Sequence, residues 1–340
     1  MSSLLWQIRS RAELAFDQPL AWAFVTAAVL VLAMVVAATQ GAVGLPTLEL
    51  PSSILDPAHP FHAVIWNVRL PRVACGAFVG MNLAVAGTLL QTAVRNPLAD
   101  PGILGVSAGA GVGALVVILF FPGHSAWIPW AAFLGGMATV GIIVAFAASR
   151  ARETGPLRIV LSGVALQAIL FAGIALLSFA FADRAPSFAA FMVGSLNGLG
   201  WNELRLLLAP SLVGLAAGLL AIRTLNLLLL DDGSASGLGV AVARARFGAA
   251  CIAALLTAGA VSVAGLVGFV GLVVPNGMRL LVGPDHRILL PVSALAGAAL
   301  VIAADTVART SLAPLELPVG ALLSLVGGPY FLYLLWRKLS

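Results

Sequence analysis

The sequence predicts an all-α membrane protein of about ten transmembrane helices with inverted-repeat halves, and three observations carry that prediction. Of its 340 residues 61% are hydrophobic and only 9% charged, where a soluble domain carries about a quarter charged residues. The apolar residues are gathered in runs of roughly 20, the length that crosses a bilayer at about 1.5 Å rise per residue. Away from water the backbone must satisfy its own hydrogen bonds, so only helices or a closed barrel can span, and these runs far exceed a barrel's short alternating strands.

Taken in order, the first run is Leu20 to Gln40. A mixed stretch with Arg9, Arg11, Glu13 and Asp17 precedes it, which places the run too far in for a cleavable signal peptide. Residues 1–19 therefore read as a cytoplasmic N-terminal segment, and 20–337 as a single transmembrane domain. The next regular runs are Leu70 to Val94, Trp127 to Ser149, Arg158 to Phe181, Leu204 to Asn226, Phe247 to Leu266, Leu289 to Ala308 and Pro318 to Trp336. Two more are irregular. Pro101 to Phe121 opens on Pro-Gly and holds Gly102, Gly105, Gly109, Gly111 and Gly113, while Gly268 to Val282 is short and interrupted by Pro275 and Gly277. Short, Gly/Pro-interrupted spans are characteristic of broken helices beside a pathway, so these two are the segments expected to bend, the second at Pro275.

Ten crossings leave both termini on one side, and basic residues choose that side. With the termini in the cytoplasm, the inner segments hold Arg9, Arg11, Arg95, Arg150, Arg152, Arg158, Arg223, Arg244, Arg246, Arg279, Arg287, Arg337 and Lys338. Only Arg69, Arg72, Arg184, Arg205 and Arg309 fall outside. The sequence AVAG at Ala84 to Gly87 precedes one irregular span and SVAG at Ser262 to Gly265 the other; because those helices enter from opposite sides, the echo is one of inverted topology. Glycines four apart, at Gly76/Gly80, Gly105/Gly109, Gly109/Gly113, Gly194/Gly198 and Gly214/Gly218, read as ordinary close helix packing.

Several functions are excluded. The single lysine is Lys338, so no GxxxxGK[ST] phosphate loop exists, and there is no HExxH, GxSxG or paired-carboxylate cluster. No catalytic residue is assigned. Cys75 and Cys251 lie in apolar runs without metal-ligand spacing and read as packing residues, with no metal site. His59, His62, His124 and His286 fall in predicted loops and read as solvated. The basic residues are scattered singly, which removes the case for nucleic acid. Asp305, the deepest acid, stands four residues before Arg309 and reads as its local partner; a proton- or sodium-coupled transporter would need an acid without such a partner.

Longer stretches carry a family resemblance. RLPR at Arg69 to Arg72 followed by GAFVGMNLAVAGTLLQTAVRNPLADPGILGVSAGAGVGA, then ASGLGV at Ala235 to Val240, GFVGLVVPNGMRLLVGPDHRILLP from Gly268 to Pro291, and ADTVART, ELPVG and GGPYFLYLL near the C-terminus together resemble the FecCD-type permeases. These are the membrane subunits of type II ABC importers for iron-siderophore, haem and vitamin B12. The family pattern usually has Pro where Leu266 stands, His where Asn276 stands, and Gly-Glu near Asp231 and Asp232.

The resemblance implies a homodimer in a bacterial inner membrane, with two copies of a cytoplasmic ABC ATPase that bind the MgATP and no cofactor in this chain. It also implies a periplasmic or surface binding protein that delivers cargo. Ferric siderophore is the first expectation for that cargo, with haem and cobalamin as alternatives. The loop from Leu230 to Arg246 would couple to the ATPase through Gly233, Ser236, Gly237, Leu238 and Gly239. Asn96, Pro97, Gly105, Gly109, Pro275 and Asn276 would belong to the pathway and its gates. Arg69, Arg72 and Arg309, all at the outer level, would dock the binding protein.

Overall fold

The computed structural model describes the backbone except at Met1, residues 42–43, 149–155, 183–184, 314 and Ser340. Side chains at 2–20, 103–104, 144, 146–148, 156–160, 185–187, 190, 333–335 and 337–339 are not described either. Arg150, Arg152 and Arg184 therefore lie outside the described residues, as do the side chains of Arg9, Arg11, Glu13, Asp17, Arg158, Arg337 and Lys338.

Helix α1 spans Ser2–Thr39 and is followed by two short helices, α2 (Leu50–Leu55) and α3 (His62–Val64). A π-helical turn at Ile65–Arg69 leads from α3 into α4 (Leu70–Val94), the run read from the sequence. A 3₁₀ turn at Pro101–Leu104 opens α5 (Val106–Phe120), which α6 (Ile128–Ala148), α7 (Pro156–Ala180) and the short α8 (Ala185–Val193) follow. The expected span Leu204 to Asn226 is two helices, α9 (Trp201–Leu220) and α10 (Ile222–Leu227), parted at Ala221. The short α11 (Asp232–Gly237) precedes α12 (Val242–Ala264), α13 (Val270–Val282), α14 (His286–Thr310) and α15 (Val319–Leu339). Among the described residues no strand occurs, and seven helices are long and apolar enough to cross a membrane. The apolar helices Val106–Phe120, Val270–Val282 and Val319–Leu332 are shorter.

Burial orders these helices around α4. Its most apolar window is 83% buried, against 72% for α12 and 61% for α14, whereas α1, α6 and α7 bury only 17%, 22% and 11% of theirs. The outer helices thus present Leu, Val, Ile and Phe side chains outward, as a lipid-facing surface requires. Small residues let the central helices approach. A Cβ at Gly80 would lie 2.1 Å from the carbonyl oxygen of Gly297 on α14, and one at Gly87 would lie 1.9 Å from that of Gly271 on α13. Gly80 and Gly297 are therefore backbone-to-backbone contacts, not merely a spacing pattern.

The sequence predicts a break at Pro275 in the run from Gly268 to Val282, and the structure moves it. Helix α13 runs through Pro275. A proline there removes the N–H that would bond the carbonyl four residues earlier, the oxygen of Gly271. That oxygen accepts instead from Nε2 of Gln91 on α4, at 3.1 Å. The chain actually unwinds before α13, where Gly265 and Phe269 have φ of 70° and 67°. The unwound backbone is satisfied by protein: the Leu266 N–H donates to the Phe191 carbonyl at 3.2 Å, and the Ser195 N–H to that of Ala264 at 2.8 Å. Irregular backbone inside a membrane domain is tolerated where such partners exist. Leu266, where the family pattern has Pro, uses an N–H that Pro would lack.

Candidate functional site

Helices α4 and α14 run antiparallel, so each end of the pair gathers a distinct polar group, and the unwound segment lies between. The first end holds the arginines. Arg72 gives Asp305 a two-pronged ion pair, Nε to Oδ2 and Nη2 to Oδ1, each 2.9 Å, and its Nη1 reaches Glu316 at 3.0 Å. Asp305 therefore pairs first with Arg72 across the helices. The expected local partner, Arg309, stands 3.8 Å from it. Arg69 donates to the carbonyls of Ala38 and Thr39 at 2.8 and 2.9 Å, and Arg309 donates to that of Ala37. These carbonyls close α1, and a helix C-terminus leaves such oxygens without internal partners and partly negative. Three guanidinium groups are thereby held inside the chain, each residue only 7 to 8% exposed. The structure brings Arg69, Arg72 and Arg309 together as expected, but turns the donors described here inward; Glu316, with a side chain 33% exposed, is the most open charge of the group.

Beside the unwound segment lies a cavity of about 290 Å³ lined by Asp100, Ser107, Gln167, Phe171, Thr257 and Gly268. Asp100 accepts the N–H of Gly102 at 2.8 Å and so caps the 3₁₀ turn that starts α5. Its burial pushes the carboxyl above its usual range despite that bond. Gly105 has φ of 72°, the left-handed region a β-carbon resists, and the oxygen of Gly135 on α6 leaves no space for a β-carbon at Gly109.

The other end of α4 carries the expected gate residues. Asn276 of α13 donates from Nδ2 to the Pro97 carbonyl at 2.7 Å and to that of Leu272 at 2.8 Å. Arg279 then clamps two neighbours, with Nη1 to Asn276 Oδ1 at 3.2 Å and Nη2 to Gln91 Oε1 at 3.1 Å. Pro97, Asn276, Arg279, Gln91 and Gly271 thus form one continuous network. Gln91 and Arg279 were not singled out from the sequence, because an isolated polar residue within an apolar run shows no partner until the helices pack.

One turn further on, α4 ends at Arg95, a non-glycine residue in the left-handed conformation, φ 53°. That backbone aims its guanidinium at α11. Arg95 pairs with Asp232 at 2.8 Å and donates to the carbonyls of Leu228 and Leu230, and Asp232 also holds Arg246 of α12 at 2.8 Å. A short helix does occupy the expected coupling loop. Asp231 caps it by accepting the Ser234 N–H at 3.0 Å, and hydrogen bonds from the Ser234 side chain and backbone hold the Asp231 carboxyl below its usual range. Leu238 stands 63% exposed beyond the helix. Gly239 needs its glycine, with φ of 85°, whereas Gly237 has ordinary φ and open space around a would-be Cβ. Gly233 and Ser236 lie within α11 itself.

His286 corrects the sequence reading. It opens α14 with 1% exposure, not in a solvated loop. Imidazole Nε2 meets the Thr92 hydroxyl of α4 at 2.8 Å, while Nδ1 and the backbone N–H meet Asn226 Oδ1 of α10 at 2.8 and 2.9 Å.

With this geometry in place, comparison with known proteins identifies the pattern. The profile described as the FecCD transport family matches residues 29–337. The chain is 45% identical over 283 residues to the hemin transport system permease HmuU of Yersinia pestis, covering 81% of this chain and 84% of that one. It is 42% identical over 272 residues to the cobalamin import permease BtuC of Halobacterium salinarum, covering 80% and 73%, and 40% identical over 280 residues to the Fe(3+) dicitrate permease FecD of Escherichia coli, covering 82% and 87%. A solved inward-facing structure of a metal-chelate type ABC transporter superposes with TM-score 0.82 at 31% identity, covering 93% of this chain and 98% of that one.

Proposed function

Because the chain belongs to the FecCD transport family, we propose that this permease subunit of an ABC importer carries a ferric siderophore or similar iron chelate across a bacterial inner membrane by alternating access. Haem and cobalamin are the alternatives, since relatives bearing those names are as similar as the iron permeases. In this reading the seven long and three shorter apolar helices make ten crossings in inverted halves, both termini face the cytoplasm, and residues 20–337 act as one domain. A second copy completes the pathway, two ABC ATPases bind MgATP on the side of α11, and a binding protein delivers cargo at the arginine end. No cofactor is held by this chain.

The observation that carries the mechanism is the ion-paired junction of α11 with the end of α4. A partner can shift the permease between states only through unequal affinity for them. An ATPase that grips α11 differently when ATP is bound would displace Asp232, and Arg95 would pass that displacement to the network at Pro97 and Asn276. Rigid-body rocking then opens one face and closes the other.

Two results test this reading. The purified chain is expected to have no ATPase activity and to gain it only with a co-purifying ABC ATPase; robust hydrolysis without that partner would overturn it. At Gly239, a valine forced into the left-handed region costs about 1–2 kcal/mol, so Gly239→Val is expected to lower cargo transport per ATP in proteoliposomes while Gly237→Ala leaves it unchanged. Unchanged transport per ATP in both variants would make α11 a passive linker.

The docking role of Arg69, Arg72 and Arg309 is also part of the proposal. Since the described guanidinium contacts close α1 and pair with Asp305, receptor contact would fall first on Glu316 and the rim of the cluster. Charge at an interface chiefly sets encounter rate. Glu316→Gln is expected to change the binding protein's association rate and its salt dependence, read by surface plasmon resonance; an unaltered rate would place docking elsewhere.

A further inference from the structure

We propose that His286 is a positioning residue that ties the helix feeding the coupling element to the gate-bearing end of α4, forming a buried transmission link separate from the surface ion pair. The inference rests on the reading of α11 as the ATPase contact, and it concerns how motion leaves that contact.

Three helices meet at one imidazole. Asn226 belongs to α10, which continues through the buried Leu228 into α11. Thr92 lies on α4 between Gln91, which bonds Gly271, and Arg95, which bonds Asp232. His286 begins α14 and contacts both, at 2.8 Å on each ring nitrogen. The Asn226 oxygen already receives the His286 backbone N–H, so it acts as acceptor and places the proton on Nδ1. Its amide nitrogen donates to Asp285 at 2.7 Å. The Arg287 backbone N–H and the Asn226 amide hold that carboxyl below its usual range, so the anchor remains charged. On the far side Nε2 accepts the single Thr92 hydroxyl proton at 2.8 Å, in competition with the Thr88 carbonyl 2.9 Å from the same oxygen. Every polar atom of the imidazole is thereby spent between two helices.

Burial distinguishes this link from the neighbouring ion pair. Asp232 and Arg95 have side chains 52% and 36% exposed, where water competes and the pair can part with little loss. His286 and Thr92 are 1% and 5% exposed, where separation would leave polar groups without partners, while the Asn226 arm of the link is half-buried. Two helices joined in this way move as one body, and packed elements of that kind carry coupling between distant sites.

The test uses the reconstituted complex with its ATPase and binding protein, and reads cargo moved per ATP hydrolysed. His286→Leu is expected to lower that ratio about fivefold or more, the lower end of typical coupling, while ATPase binding and basal turnover persist. Thr92→Val and Asn226→Leu should each lower it too. In the His286→Leu background neither should lower it further, because the link they share is already cut. Packing damage at three independent points would instead add. An unchanged ratio in an assembled His286→Leu complex, or additive losses, would overturn the proposal. Should His286→Leu fail to assemble, the Thr92→Val/Asn226→Leu pair decides it by the same criterion, additive losses sinking the link. Replacing Leu238 in a chain that keeps His286 tests the α11 reading separately: loss of ATPase binding supports that reading, and retained binding overturns it.

Discussion

Gly87→Ala is expected to abolish accumulation of folded protein, although it adds a single methyl group. That methyl carbon would stand 1.9 Å from the oxygen, 2.5 Å from the carbon and 2.6 Å from the Cα of Gly271. All three are backbone atoms, so no side chain can swing aside, and α4 and α13 must separate. Overpacking of a core costs about 1–3 kcal/mol and sometimes more. Here separation also pulls the Gly271 oxygen from Gln91, its replacement for the bond that Pro275 cannot make. The same reasoning applies to Gly80→Ala against Gly297. Gly141 and Gly173 have nothing within 4 Å of an added Cβ, and alanine there should leave the fold intact, with a helix-propensity gain of up to about 1 kcal/mol. Yield of monodisperse protein in detergent and its thermal unfolding measure the contrast. Normal yield and melting for Gly87→Ala would show that the α4 and α13 backbones do not touch.

Asp305→Ala is expected to be the most damaging substitution in the arginine cluster. It removes the two-pronged Asp305 contact and leaves Arg72 with only the more open Glu316, beside Arg309, which loses its nearest carboxylate; both arginines are 8% exposed. Breaking a buried pair from one side costs about 3–5 kcal/mol, whereas replacing both partners with apolar groups is often close to neutral. Arg72→Leu with Asp305→Leu removes the closest pair from both sides, leaving Arg309 on the Ala37 carbonyl and Glu316 at the more open edge, and should therefore melt above Asp305→Ala. If the double variant is as unstable as the single, the loss arises from packing and the ion pair is not its cause.

Leu70 to Val94 is legible to its ends because its apolar composition, Arg69 before it and Arg95-Asn96-Pro97 after it all bear on one local segment. Spacing along one helix is the only distance a sequence displays, so the sequence pairs Asp305 with Arg309, whereas its stronger partner, Arg72, lies 233 positions away. Pro275 was read as a break for a similar reason. The rule about its missing N–H is local, but the carboxamide that heals the gap comes from Gln91 on another helix. His286 followed a loop-like Gly-Pro-Asp and so read as solvated, although its burial depends on α4 and α10 closing over it.

By itself the sequence determined that this protein is helical and membrane-spanning and which transport family it belongs to, because hydropathy and motif order are properties of consecutive residues. Tertiary structure alone decided that Arg69, Arg72 and Arg309 turn inward onto α1 and Asp305, that Gly271 is shared between a glycine contact and Gln91, and that His286 joins two helices. Those outcomes depend on which polar groups remain without partners after each helix has satisfied its own backbone, and in a membrane core such groups must find partners on whichever helix packs beside them.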